Sequence, residues 1–148
     1  MNKWKRIIFF AAGLGGIACL IAIFLLASIS PVGEPKNTII FGVVSPDERN
    51  KAVIFERNSG ATTDFSTQIP LLPVSSPPPK GDGNIFISDT WNGRAPSAAW
   101  GGPGVKVHWE GPHKLIIEHH MMARIFKAEA QIAGVLIEYR SLNPWLGK

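Results

Sequence analysis

The sequence predicts a single transmembrane helix followed by a mostly β domain, an antiparallel small sandwich or partial barrel built from hairpins. Three observations predict this arrangement. One uncharged apolar segment near the N-terminus is long enough to cross a bilayer. Short β-prone runs follow it, with turn signals about every 8–12 residues. Two of these runs match opposite charges and apolar side chains when they are set side by side as a hairpin.

The apolar segment, residues 7–29, has no charged side chain. As a helix it reaches about 34 Å, more than the roughly 30 Å of bilayer hydrocarbon. Residues 1–6 are a basic flank with Lys3, Lys5 and Arg6. Positive residues flank the cytoplasmic side of a first span, so we expect a cytoplasmic N-terminus and an extracytoplasmic C-terminal domain.

A cleaved signal peptide is the alternative to a permanent span. Its apolar core is shorter, about 7–15 residues, and ends at a small-x-small site. Here the nearest such pair, Ser28 and Ser30, is followed by Pro31. Within the segment, Ala11, Gly15 and Cys19 recur every four residues, a spacing that lets two helices approach closely in a homo-oligomer.

The net charge of +4 does not indicate a nucleic-acid-binding domain. Three of the 15 Lys and Arg residues precede the apolar segment, so the remaining 12 nearly balance the 11 acidic residues that follow it. A nucleic-acid-binding domain would carry a basic face. We therefore expect the lipid bilayer and another envelope protein as partners, and no nucleic acid.

After a linker at 30–38, the β domain is expected over 39–141 and an irregular tail over 142–148. Turn residues separate the β-prone runs, since Pro, Gly, Asn and Asp favour turns. Two long stretches, 73–84 and 91–104, are too rich in Pro and Gly for regular structure. Strands are predicted over 39–44, 51–57, 65–72, 84–90, 105–110 and 114–120.

The hairpin 105–120 has the clearest predicted register. A three-residue loop sets Lys106 opposite Glu118, Val107 opposite Ile117 and Trp109 opposite Leu115. A slip by one residue would set an apolar side chain opposite a charge. Residues 121–139 fit two further strands with a turn at 133–134, although 121–133 also contains good helix formers, so both readings stay open.

Three segments have a distinctive combination: Ser45-Pro46-Asp47, the strand 51–57, and Gly60-Ala61-Thr62-Thr63. With them the chain resembles an uncharacterised family of small bacterial membrane-anchored proteins that carry an SPDG-type turn and a GATT segment. The resemblance implies the bacterial plasma (inner) membrane as the location, and a fold, but no activity and no functional residue. The sequence departs from the family at Glu48, where the turn has glycine, and at Ser59, where relatives have cysteine.

Two loops are the candidate binding sites. Segment 59–64 gathers hydroxyls, a carboxylate and a flexible glycine, which can hydrogen-bond a polar ligand, or satisfy the local backbone in a turn. Loop 91–104 carries Trp and Arg, which are enriched at binding hot spots, and Trp also favours a membrane interface. The alternative is that its tryptophans cover the core. The candidate residues are Gly60, Thr62, Thr63, Asp64, Trp91, Asn92, Arg94 and Trp100.

No motif identifies an enzyme, a metal site or a cofactor. In the predicted register His108 and His120 lie about 13 Å apart along the strand direction, too far to share one zinc ion. The sequence therefore favours an interaction module anchored in the envelope. The alternatives are an envelope hydrolase that uses Asp64, Ser66 or a histidine, without a nucleophile-elbow pattern, and an accessory or immunity-like subunit of a membrane complex.

Overall fold

The computed structural model describes residues 35–58, 60 and 64–142, all within one compact unit, Gly33–Lys148. Those residues are mostly β and form two sheets without any helix, so none of them lies in a helix that could span a membrane. The predicted span 7–29, with Lys3, Lys5, Arg6 and the small-residue pattern, lies outside the described residues. The described strands are β1 (Lys36–Val44), β2 (Asn50–Asn58), β3 (Ser66–Ile69), β4 (Leu71–Pro73), β5 (Phe86–Asp89), β6 (Val105–Trp109), β7 (Lys114–His120), β8 (Arg124–Ala128), β9 (Gln131–Ile132) and β10 (Val135–Leu142).

The first sheet has the strand order β1-β2-β3-β5-β8, and β4 pairs with β2. The predicted first hairpin is confirmed, although β1 begins at Lys36 rather than residue 39. The turn between its strands is held by Ser45, whose hydroxyl donates to Asp47 and accepts the N–H of Asn50. Glu48 has φ 57°, a left-handed conformation that suits glycine.

The predicted strand 65–72 is wrong as a single element. Pro70 has no N–H to donate, so the ladder is interrupted there and β3 and β4 are separate strands. The carbonyl of Pro70 still accepts the N–H of Val53. Beyond the break, the side chain of Asn84 bonds to both the N–H and the carbonyl of Leu71. The Asn84 side chain thus makes the two hydrogen bonds to Leu71 that the backbone of a neighbouring strand would otherwise make.

The second sheet has the order β6-β7-β10-β9. The predicted register of the β6–β7 hairpin is confirmed at Lys106↔Glu118, Val107↔Ile117 and Trp109↔Leu115. The prediction of an antiparallel fold is wrong for one pair, because β10 lies parallel to β7. A parallel neighbour needs a long crossover, and the chain makes it by crossing to the first sheet as β8.

Residues 121–142 form the strands β8, β9 and β10 with turns between them and no helix, so the helical alternative for 121–133 is wrong. β8 pairs with β5, and the short β9 and β10 form a hairpin. The predicted turn at Ala133-Gly134 is confirmed: both residues have positive φ, 49° and 76°. Two left-handed residues in a two-residue loop match the twist of the flanking strands.

The core lies between the two sheets. Both sheets contribute side chains to one buried apolar cluster, because alternate residues of each strand face inward. Hydrogen bonds also join the sheets. The indole N–H of Trp109 donates to the carbonyl of Val43, and the Tyr139 hydroxyl bonds to the carbonyls of Ile85 and Glu129. Burial raises the pKa of Tyr139. The cluster comprises Ala52, Ile54, Ile69, Leu71, Ile85, Phe86, Val105, Val107, Leu115, Ile117, Val135 and Ile137.

A proline-rich segment, residues 74–84, lies over the outer face of the first sheet; we call it the strap. Lys51 Nζ donates to the carbonyls of Val74 and Ser76, at 2.8 and 2.7 Å. At the other end Arg57 pairs with Asp82 at 3.0 Å. Val53 and Phe55 lie between Lys51 and Arg57 on this face and are buried, although they are not part of the core cluster. The strap is therefore fixed by polar contacts on either side of these two buried side chains.

Candidate functional site

Several chain segments meet at one end of the first sheet. The pairings Asn37↔Arg57, Arg57↔Ser66, Ser66↔Asp89 and Asp89↔Arg124 form one row across the strands. Neighbouring strands are about 4.8 Å apart, so the row spans about 19 Å. Because β1 begins one residue before this row, at Lys36, we call this end the Lys36 end and the opposite one the Val44 end. The loops that follow β5 and precede β3 and β8 all lie at the Lys36 end.

A strained turn follows β5 at the Lys36 end. Trp91, Asn92 and Gly93 have φ of 52°, 55° and 82°, three successive residues in the left-handed region. This conformation is unfavourable for a bulky residue such as Trp and persists only where the surroundings impose it. Trp91 is 38% exposed, so burial of its ring does not account for the strain.

Two carboxylates hold this turn. Asp89 Oδ1 accepts the N–H of Trp91 at 2.8 Å, and Asp64 Oδ2 accepts the N–H of Asn92 at 2.9 Å. The Thr90 hydroxyl donates to the same Asp64 oxygen at 3.0 Å and accepts the N–H of Gly93 at 3.1 Å. Each turn N–H from 91 to 93 therefore has a side-chain oxygen acceptor.

Asp89 also binds Arg124 of the neighbouring strand β8. Arg124 Nε donates to Asp89 Oδ1 at 3.1 Å, and Nη2 pairs with the other carboxylate oxygen. The hydrogen bond with Asp89 raises the pKa of Arg124 above its ordinary value. The Asp89 side chain is buried, and both of its carboxylate oxygens are engaged by this two-point pairing.

Each exposed aromatic ring of the site lies against an arginine. The Arg94 guanidinium is 3.9 Å from the ring centre of Trp91, and that of Arg124 is 4.8 Å from the ring centre of Phe126. Phe126 is the extra residue of a β-bulge in β8, and bulges of this kind redirect side chains. Cation–π contacts at exposed sites contribute about 0.5–1 kcal/mol, so they orient the rings more than they stabilise the fold.

Apolar residues continue this surface along the turn before β8. Met121 and Met122 precede Arg124 and are 48% and 37% exposed. The N–H of Met122 donates to His120 Nδ1 at 3.0 Å, which orients the turn. The Lys36-end surface, as we use the name below, consists of Trp91, Arg94, Met121, Met122, Arg124 and Phe126.

The candidate residues from the sequence fall into separate places. Asp64 of the first loop and Trp91, Asn92 and Arg94 of the second come together in the turn described above. Trp100 lies apart, where its indole N–H donates to the Thr67 hydroxyl at 3.0 Å. Gly60 has φ 115° and donates its N–H to Asn58 Oδ1. Thr62 and Thr63 lie outside the described residues.

The second half of the long loop packs inward. The Thr67 hydroxyl that accepts from Trp100 donates to the carbonyl of Pro103 at 2.7 Å. A Cβ on Gly102 would be 2.6 Å from that hydroxyl oxygen. Only glycine allows this approach, so residues 97–103 close the start of β3 and leave residues 91–94 exposed.

The residues that a hydrolase would use are engaged otherwise. The Asp64 carboxylate serves the strained turn, and the Ser66 hydroxyl donates to the carbonyl of Arg57 at 3.3 Å. His120 accepts a backbone N–H. Within 35–58, 60 and 64–142 no group of three or more His, Cys, Asp or Glu side chains is arranged to hold a metal ion.

Sequence reasoning did not find Asp89, Arg124 or the methionines of this surface. Asp89 and Arg124 are 35 positions apart, and only the β5–β8 pairing, which no local pattern predicts, makes them neighbours. The one available signal was chemical: an acidic residue ends one strand and a basic residue begins another.

No protein-family model matches the chain, and neither a curated protein nor a solved structure matches it. The geometry of the site is therefore the basis for a functional proposal. It offers rigid display of an aromatic ring, a guanidinium and flexible thioethers on one exposed surface.

Proposed function

We propose that this protein is an interaction module of the bacterial inner membrane, held by a single N-terminal span, whose small β sandwich or partial barrel binds an envelope component through the Lys36-end surface. One observation carries the proposal. The strained turn at Trp91 is fixed by two carboxylates, yet it leaves the tryptophan exposed rather than packed in the core.

Strain of this kind costs about 1–3 kcal/mol per residue. Glycine in place of Trp91 would relieve this strain, because glycine adopts positive φ without steric cost. Three polar side chains are instead used to hold it, namely Asp64, Asp89 and Thr90. Trp and Arg, the two residues it presents, are those most enriched at binding hot spots.

Anchoring rests on residues 7–29 and their flank. The 23 uncharged positions suit one crossing of the hydrocarbon, and Lys3, Lys5 and Arg6 suit the cytoplasmic side. The resemblance to small membrane-anchored proteins leads to the same location. Carbonate washing of membranes and protease added outside spheroplasts test this part. The chain should stay with the membranes and lose its C-terminal domain to the protease.

Photo-crosslinking in intact cells tests the binding surface. A benzoylphenylalanine at Met121, which is exposed, should form an adduct with an envelope component, whereas one at Arg49, at the Val44 end, should form little. The double variant Trp91→Ala, Arg94→Ala should reduce the Met121 adduct at least about fivefold, since hot-spot residues carry most of the binding energy. Equal adducts at both positions would contradict a specific surface.

A further inference from the structure

We infer that the component bound by the Lys36-end surface is the phospholipid headgroup layer of the membrane that holds the N-terminal segment. This inference rests on the proposed function, and in particular on residues 7–29 as a membrane span. It makes the β domain a module that lies on its own bilayer through a specific surface, rather than one that moves freely on a linker.

The first argument is where the chain enters the domain. Residues 30–35 separate the apolar segment from β1, and six residues reach at most about 20 Å when fully extended. β1 begins at Lys36, one residue before Asn37, which belongs to the same row of paired residues as Asp89 and Arg124. The start of the strand thus has to lie within about 20 Å of the hydrocarbon edge, and the Lys36-end surface lies at the same end of the sheet, about 14–19 Å from β1 across the strands.

The second argument is the chemistry of the two ends. Exposed aromatic and methionine side chains occur at the Lys36 end, as Trp91, Phe126, Met121 and Met122. The turn at the Val44 end carries Asp47, Glu48 and Arg49 next to the exposed Val44, and β1, with nine residues, places it about 30 Å further along. Of these two ends, the Lys36 end therefore has the shorter path to the bilayer and the larger set of exposed aromatic and methionine side chains.

The third argument is the pairing of each ring with an arginine. Trp rings are enriched at the membrane interface, where one edge contacts acyl chains and the other contacts water. Arg94 over Trp91 and Arg124 beside Phe126 set a guanidinium next to each ring. Guanidinium groups bind phosphate oxygens in a two-point geometry, so a ring at headgroup depth brings its arginine to the lipid phosphates.

A protein partner is the other class of occupant for such a surface. The connection through β1 favours lipid, because this end is already confined near the bilayer before any partner arrives. A protein ligand is accordingly an outcome of the test below that overturns the inference.

Site-directed spin labelling of the full chain in lipid nanodiscs tests the inference. In a Cys19→Ala background, one nitroxide is attached at Met122→Cys and a matched control at Arg49→Cys, both on exposed positions. The discs contain phosphatidylcholine with about one quarter phosphatidylglycerol. The measured quantity is the accessibility of each label to oxygen, which concentrates in lipid, relative to a water-soluble nickel chelate.

We expect an oxygen-to-nickel ratio at least about threefold higher at position 122 than at position 49, and a fall towards the control value in Trp91→Ser, Arg94→Ser. A label at Met121→Cys repeats the measurement should the Met122 variant fold poorly by circular dichroism. Equal ratios at 121 or 122 and at 49 would overturn the inference.

The two proposals fail in different ways. A chain that does not co-elute with the discs and is stripped by carbonate contradicts the membrane span, and with it the proposed function. A chain that stays in the discs with a water-exposed label at 122, and that crosslinks to a protein at Met121 in cells, contradicts only the lipid inference. A lipid adduct at Met121 with a shielded label supports both.

Discussion

The two long irregular segments of the β domain differ in what fixes them. The strap, residues 74–84, is held along its length by side chains of the sheet beneath it, including Lys51, Asn37 and Arg57. The turn 91–94 is held only from its base, by Asp64, Asp89 and Thr90. The strap is therefore part of the packed structure, whereas the turn presents the side chains of Trp91 and Arg94 to solvent.

The difference teaches that loop length and composition do not reveal a loop's role. Both segments are rich in Pro or Gly, and both are longer than ordinary connections. Hydrogen bonds that point from the sheet to the loop backbone indicate a structural role, as at Lys51. A side chain that is displayed by a strained backbone and lies against an arginine, as Trp91 does, indicates a role outside the fold.

The largest expected effect comes from replacing Gly83 of the strap with alanine. A Cβ at Gly83 would lie 2.7 Å from the Phe86 carbonyl oxygen and 2.8 Å from the Ile69 nitrogen, both backbone atoms that cannot move aside. We expect Gly83→Ala to lower the free energy of unfolding by about 3 kcal/mol, through overpacking. Urea unfolding of the full chain in mild detergent measures it.

Gly81→Ala is the matched control, because nothing lies within 4 Å of a Cβ there. It should leave the unfolding midpoint unchanged or raise it slightly, since alanine restricts the unfolded chain. Similar midpoints for the two variants would mean that the strap does not pack as described.

The next largest expected effect is a difference in stability loss between alanine substitutions of the two tryptophans of loop 91–104. Trp100→Ala removes a partly buried ring and the hydrogen bond to Thr67, so we expect a loss of about 2–3 kcal/mol. Trp91→Ala removes an exposed ring and its cation–π contact, about 0.5–1 kcal/mol. The same unfolding measurement distinguishes them, and a larger loss for Trp91 would assign it to the core instead of the surface.

The smallest expected difference in the free energy of unfolding is between substitutions of two cationic residues, Lys51 and Arg94. Lys51→Met leaves the strap carbonyls of Val74 and Ser76 without their donor, and we expect a loss of about 1.5–2 kcal/mol. Arg94→Met keeps the aliphatic stem and loses only the contact with Trp91, so the unfolding free energy should change by at most about 0.5–1 kcal/mol. Crosslinking at Met121 should show the reverse order, with Arg94→Met the more damaging.

Local signals predicted much of the fold. The β6–β7 register followed from Lys106, Glu118 and the apolar pairs between them, because a hairpin brings together residues that are close in sequence. The place of β8 in the first sheet and the parallel β7–β10 pair could not be predicted. They depend on which strand edges remain open after the hairpins form, and no short pattern encodes that.

The site was predicted in pieces. Asp64 and the residues 91–94 were identified in separate loops, each for its own chemistry, and nothing in the sequence indicated that Asp64 bonds to the N–H of Asn92. The strain at Trp91 was also invisible, because tryptophan is not a residue that favours positive φ. Backbone conformation imposed by distant carboxylates is the part that sequence patterns do not carry.

The crossing of the chain between the sheets has a consequence for biogenesis. β8 supplies the edge of the first sheet, and β10 then returns to lie beside β7. A chain synthesised from its N-terminus thus cannot complete either layer until its last strands have left the ribosome. The apolar inner faces of the earlier hairpins stay uncovered until then, which makes the interval before release the stage at which this protein most needs a chaperone.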